Sequence, residues 1–217
     1  LVVPPDTNEI VAAQDLIAGA IPEELRSRVT VIGGGDERRD SVRFGLSRLQ
    51  ERGTPAEALV LIHDAARPLL SESLITRCLE SIGIPWAANG QNALPGLERE
   101  DPSSRLAAGV VPGLPVRETL KLVYEERVVL TQPRENLWSV QTPQLFRLGP
   151  LLRAHRRAEL YGLAATDDAA LLEWQGLPVR MIAGDPANLK ITYPEDLVVA
   201  ERLLGAAGAP RGRGGAG

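Results

Sequence analysis

Residues 58–68 read ALVLIHDAARP, and the fold is decided on this stretch. Ala58 to Ile62 form a continuous apolar run, and His63 and Asp64 close it. Such a run, too short for a helix and ending on polar residues, is the pattern of a strand covered on both faces. Arg67-Pro68 then break the backbone, because proline cannot continue a ladder. In open α/β sheets ligands gather beyond the carboxyl ends of the strands. Asp64 therefore stands where such a sheet would place its chemistry.

Working upstream, Arg28 to Ile32 is a β-branched run that ends in Gly33-Gly34-Gly35, and Asp40-Ser41 opens a helix carrying Val42, Leu46 and Leu49 on one side. Before it, Glu9 to Ala20 paints one helical face with Ile10, Val11, Ala13, Leu16 and Ile17, and Asp6-Thr7 offers a cap. Leu1-Val2-Val3, closed by Pro4-Pro5, reads as the last half of a strand whose beginning would lie upstream of Leu1.

Downstream, Ser71 to Ile82 spaces Leu74, Ile75, Cys78 and Leu79 as a helix. Residues 84–105 hold three prolines and a charge cluster, and are read as a surface insertion of low order. Leu120–Val123 and Val128–Thr131 flank Tyr124 to Arg127 as a hairpin arm. A helix over 148–162 carries His155, Thr166 caps the next helix, Val179 to Ile182 is a strand, and Pro194 to Leu204 is the last helix. Residues 205–217, of Gly, Ala, Pro and Arg only, read as a disordered tail. Strands alternating with helices imply an α/β domain over 1–204, with a mostly parallel sheet and helices on both faces.

Composition narrows the chemistry. Of 217 residues 44% are hydrophobic, and 24 basic side chains face 28 acidic ones for a net charge of −4. That balance argues against bulk nucleic-acid binding. One cysteine and two histidines exclude a disulfide scaffold and make a His-rich metal site a poor expectation. No apolar run nears the ~18 residues a membrane span needs, and a cytoplasmic location is expected.

Three groups of residues remain as candidates. Gly33 to Asp36 with Ser41 would let a flat base or a phosphate approach the backbone, although neither glycine-rich nucleotide fingerprint is present. Asp64 suits Mg²⁺, a hard cation that prefers carboxylates and substrate phosphates, and Arg67 could grip a phosphate through two parallel bonds. Arg117, Thr119, Lys121, Arg134, Thr142, Thr166 and Lys190 are cations and hydroxyls at element ends, the kit that phosphoryl or nucleotidyl transfer requires. A structural reading competes for each: a plain turn for the glycines, a cap for Asp64, a satisfied structural role for His63, and a solvated face for the rest.

In their order, the strings GGGDERRDSV (33–42), VLIHDAARP (60–68), PVRETLK (115–121), RENLWSVQTPQLF (134–146), ATDDAALLE (165–173) and NLKITYPEDL (188–197) resemble the 2-C-methyl-D-erythritol 4-phosphate cytidylyltransferases. The resemblance implies a Rossmann-like nucleotidyltransferase fold, dimeric through a protruding 119–134 arm, that transfers CMP from CTP to the sugar-alcohol phosphate with Mg²⁺ and releases pyrophosphate. By matching position, Gly35, Asp36 and Ser41 would contact cytosine, and Asp64, with Ala65 beside it, would lie by the ribose and metal. Arg67, Thr119, Arg134, Thr142, Thr166 and Lys190 would hold the sugar phosphate, with Arg134 and Lys190 positioning it for attack.

Ribitol 5-phosphate cytidylyltransferases share most of these strings, so ribitol 5-phosphate is the alternative acceptor. The family's Ala-Ala-Gly-x-Gly-x-Arg loop and Pro-Lys pair do not occur in the chain and are expected upstream of Leu1. A catalytically impaired fragment is therefore a further reading. Glu118 stands where the family usually has Asp.

Overall fold

A computed structural model describes residues 1–83 and 106–208, with side chains through Gly205. The insertion expected at 84–105 and the tail beyond Gly208 lie outside the described residues. The elements run β1 (Val2–Val3), α1 (Thr7–Ala20), α2 (Glu23–Arg26), β2 (Ile32–Gly33), α3 (Arg38–Glu51), β3 (Leu59–Ile62), α4 (Glu72–Ile82), β4 (Gly109–Pro115), β5 (Leu120–Tyr124), β6 (Arg127–Gln132), β7 (Trp138–Val140), β8 (Gln144–Arg147), α5 (Leu148–Leu160), α6 (Asp168–Trp174), β9 (Val179–Ala183) and α7 (Pro194–Gly208).

Among the described residues three sheets result. β1 and β2 pair in parallel, Val2 opposite Ile32 and Val3 opposite Gly33. The largest sheet orders its strands β3-β8-β4-β7, with β9 also on β4, and β4 and β7 run antiparallel. β5 and β6 form an antiparallel hairpin of their own, with a register irregularity between Leu122 and Val123. The described residues cluster into two compact units, one of 1–60, 106–109 and 146–179, the other of 61–83, 110–145 and 180–208.

In the first unit, α3 and α6 both lie against α5. Leu148, Leu151, Leu152 and His155 recur at the three- and four-residue spacing of one helical face, and all four are buried. Leu46 of α3 and Leu171 and Leu172 of α6 are buried as well. In the second unit Cys78 and Ile82 of α4 pack with Val110, Leu145 and Ile182. Burial there pushes the Cys78 thiol up to about 11, so it acts as a small apolar filler and not as a nucleophile.

Several local expectations need correction. β3 is half open: Leu59 and Leu61 are 42% and 39% exposed, because only alternate side chains point inward and the second face of the strand is not covered. The strand expected at 28–32 shrinks to Ile32–Gly33, since its parallel partner β1 supplies only Val2 and Val3. Helix α3 starts at Arg38, ahead of Asp40-Ser41, and Asp167 rather than Thr166 caps α6 by accepting from the Ala170 N–H at 3.0 Å. α7 runs four residues past Leu204, where two alanines, the strongest helix formers, carry the helix on despite Gly205.

Other boundaries agree. Ser71 caps α4 and Asp6 caps α1 through their side chains. The hairpin closes through Glu125 and Glu126, both at positive φ, the handedness that matches a two-residue turn to the twist of its strands. Among the described residues no helix is long and apolar enough to cross a membrane.

Candidate functional site

The glycine triplet builds the first candidate site, which lies wholly in the first unit. An open cleft of about 510 Å³ is lined by Pro4, Pro5, Gly35, Asp36, Arg38 and Ser41, among others. The turn is packed too closely for side chains: a Cβ on Gly34 would sit 2.3 Å from Ser41 Oγ, and one on Gly35 would sit 2.5 Å from Asp40 Cβ. Gly34 donates its N–H to the Val3 carbonyl (2.7 Å) and Gly35 donates to Ser41 Oγ (3.2 Å).

Because α3 begins three residues early, the Ser41 N–H is already bonded to the Glu37 carbonyl at 3.1 Å. Ser41 therefore serves the cleft through its hydroxyl and not as a helix-end amide. Behind the cleft, Arg38 Nη1 reaches Asp168 Oδ2 at 2.9 Å, and His155 Nε2 meets Asp168 Oδ1 at 3.0 Å. Thr166, expected to hold a phosphate, is exposed two residues before Asp168.

The second candidate site belongs to the second unit and begins at the end of β3. Lys190 Nζ stands 3.1 Å from Asp64 Oδ2, which joins two residues 126 positions apart that the sequence singled out separately. The Asp64 N–H donates to Thr142 Oγ1 at 2.9 Å, and Thr142 Oγ1 lies 3.1 Å from His63 Nδ1. His63 Nε2 faces the Arg67 carbonyl at 2.9 Å. These partners assign the tautomer: Nε2 carries the proton for the carbonyl, and Nδ1 accepts from the Thr142 hydroxyl. The structural role expected for His63 is the one it fills.

Arg67 is committed to the protein. Its Nη1 donates to the Asn188 carbonyl at 2.8 Å and its Nη2 to the Val140 carbonyl at 3.4 Å. Burial draws its pKa down, an effect the nearby Asp64 carboxylate partly offsets. A guanidinium so placed also holds the loops around Asp64 together.

Gln141 and Asn188 were missed by the sequence reading. Asn188, fully buried, donates Nδ2–H to the Thr142 carbonyl at 2.7 Å. Gln141 donates to the Asp185 carbonyl (2.9 Å) and accepts the Asp185 N–H (3.0 Å). Between them they fasten 185–190 to 140–142, which presents Lys190 to Asp64. Both residues sit inside quoted strings, but an uncharged amide carries no chemical flag in a single sequence.

Of the remaining candidates, Thr119, Lys121 and Arg134 lie on or beside the arm, whereas Ala65 directly follows Asp64. Thr119 and Ala65 are exposed. Arg134, just after β6, donates from Nη1 to the Arg117 carbonyl at the foot of the arm, and Lys121 Nζ donates to Thr131 Oγ1 across it at 2.6 Å.

Among the described residues no three His, Cys, Asp or Glu side chains come together as a metal cage. The donor set nonetheless suits Mg²⁺, which keeps several waters and is held by one or two carboxylates plus substrate phosphates. Asp64 is such a carboxylate.

Comparison with known proteins adds the following. The family model described as IspD, 2-C-methyl-D-erythritol 4-phosphate cytidylyltransferase, matches residues 1–89 and 98–206. The 2-C-methyl-D-erythritol 4-phosphate cytidylyltransferase of Halalkalibacterium halodurans is 40% identical over 174 residues, which are 80% of this chain and 64% of that protein. The enzyme of the same name from Thermosynechococcus vestitus is 40% identical over 181 residues, 83% of this chain and 66% of that protein. The chain thus spans just under two thirds of the length of these curated relatives. A crystal structure of a 4-diphosphocytidyl-2C-methyl-D-erythritol synthase superposes with a TM-score of 0.69 at 34% identity, over 94% of this chain and 78% of that one. The fold is accordingly an α/β fold of nucleotidyltransferase type.

Proposed function

The chain belongs to the 2-C-methyl-D-erythritol 4-phosphate cytidylyltransferase family, and on that premise we propose that it transfers the cytidylyl group of CTP to 2-C-methyl-D-erythritol 4-phosphate. The observation that carries the reading is the Asp64–Lys190 ion pair at 3.1 Å, bonded through Thr142 into one polar cluster. A carboxylate and an ammonium held together at a strand end supply one group for a cation and one for a phosphate.

In the reaction an oxygen of the sugar-alcohol phosphate attacks the α-phosphorus of CTP. The bond from that phosphorus to the β-bridging oxygen breaks, and pyrophosphate leaves. Two anions must approach each other, so the barrier is chiefly electrostatic, and fixed cations lower it without reorganising. Lys190 takes part of that charge. Thr119, Arg134 and Thr166 are proposed to hold the acceptor phosphate, and Gly35, Asp36 and Ser41 to seat the cytosine against a backbone bare of Cβ atoms. Asp64 would hold Mg²⁺, whose charge, when bound, offsets that of the triphosphate.

The test is a turnover assay on the purified chain with CTP, Mg²⁺ and either polyol phosphate, read as pyrophosphate release. Release with the methylerythritol phosphate and not with ribitol 5-phosphate is expected. Absence of release together with absence of CTP binding by calorimetry would overturn the reading.

The hairpin is proposed as the dimer contact. Every residue of β5 and β6 is exposed, Leu122, Val123, Val128, Val129 and Leu130 among them, and a run of aliphatic side chains left open to water marks an association surface. Leu122 pairs with Leu130 and so shares its face. Changing both to Lys should turn a dimer into a monomer by sedimentation velocity, with the far-ultraviolet spectrum unchanged. A double variant that remains dimeric would remove the arm from the interface.

A further inference from the structure

Resting on that reading, we infer that Asp168 is a positioning residue that couples the nucleotide cleft to the segment carrying Thr166. The two are tied at both ends of that segment. Arg38, which lines the cleft beside Asp36, reaches Asp168 Oδ2 at 2.9 Å. The next residue, Arg39, donates from Nη1 to the Leu163 carbonyl. Residues 163–168 are therefore pinned on either side of Thr166 to the first two residues of α3, and those follow directly on the glycine turn.

Asp168 is built for such a role. Its side chain is 1% exposed, so its charge is satisfied by groups that face it from the protein, among them Arg38 and His155. His155 is as deeply buried, gives its Nε2 to the carboxylate at 3.0 Å, and has no partner for Nδ1. The ring thus fixes one carboxylate oxygen, which leaves the other aimed at Arg38. The neighbouring Asp167 caps α6, so the two consecutive acids hold separate duties.

With Asp168 buried and Arg38 partly open to solvent, the pair adds little to stability, because desolvation of the carboxylate consumes much of the attraction. What it fixes is geometry. A ligand that orders the glycine turn also orders the start of α3, and through Arg38 and Arg39 it orders the Thr166 segment. The second ligand then has less ordering left to do, and its affinity rises. By linkage the effect is reciprocal, on the order of tenfold for couplings of ordinary size.

Calorimetry with the non-reactive α,β-methylene analogue of CTP and Mg²⁺, with and without 2-C-methyl-D-erythritol 4-phosphate, reads this coupling. In the unmodified chain the acceptor should tighten analogue binding about tenfold. In Asp168→Asn and in Arg38→Gln the factor should fall below about twofold, and the double variant should be no worse than either single one. Arg38→Gln removes the pair from its solvent-facing side, so it gives the reading even if Asp168→Asn does not fold. A variant that melts lower yet keeps the full coupling would reduce the pair to a structural role and overturn the inference. Analogue binding without coupling in the unmodified chain would overturn the inference alone, whereas no analogue binding at all would overturn the proposed function with it.

Discussion

Lys190→Gln should lower kcat/KM for cytidylyl transfer by about 10²–10³-fold, the usual loss when one preorganised charge at a developing transition state is removed. The substitution keeps a polar, flexible side chain one atom shorter and deletes its charge. Its cost to folding should be small. Lys190 is 50% exposed and its bond to Asp64 faces solvent on one side, and an ion pair of that kind contributes at most about 1 kcal/mol. The melting temperature should therefore move by no more than a few degrees while the rate collapses.

Lys190→Arg sharpens the test. It restores the charge on a planar, bulkier head that cannot take the place of a compact ammonium, so partial recovery is expected. A wild-type rate in Lys190→Gln would remove Lys190 from the reaction and leave the Asp64 pair as a surface contact.

Asp64 and Lys190 were each visible in the sequence because they carry charge at the ends of recognisable elements. That they meet is a fact of topology, since the 125 residues between them hold no pattern that specifies the pairing. Helix α4 was legible as an element, because Ser71 and the spacing of Leu74, Ile75 and Cys78 are local signals, but Leu79, expected to face inward with them, is exposed. β3 was legible as a strand but misread as doubly covered, since a run of aliphatic residues does not reveal how many of its faces find a partner.

Arg67 carries a role that was illegible for a related reason. A guanidinium near a strand end can grip a ligand, backbone or both, and only the positions of the Asn188 and Val140 carbonyls reveal the backbone grip. Gln141 and Asn188 escaped notice entirely. Their amides bond to backbone atoms contributed by distant segments, and no spacing rule in one sequence points to such partners.

Asn188→Asp should destabilise the protein by about 3 kcal/mol at neutral pH, in the range found when a buried charge is left uncompensated. Asn188 is 0% exposed and its Nδ2 donates to the Thr142 carbonyl at 2.7 Å, while its Oδ1 is buried without a partner. An ionised carboxylate there would set one oxygen against that carbonyl and bury the other unsatisfied. A protonated one could still donate its O–H. The native state therefore favours the protonated form and raises the pKa of the new carboxyl above its unfolded value of about 3.9.

The sign follows from linkage. Between the two pKa values the folded state binds more protons than the unfolded state, so stability falls as pH rises through that window. Below about pH 4 the variant should approach the unmodified chain, and the gap should widen toward neutrality. Asn188→Leu supplies the contrast, because it strands the Thr142 carbonyl for about 1–3 kcal/mol with no dependence on pH of its own. Denaturant midpoints at pH 5 and pH 8 separate the two. Equal gaps at both values would mean that the Asn188 amide does not hold Thr142, and with that the clamp that presents Lys190 to Asp64 would lose its central bond.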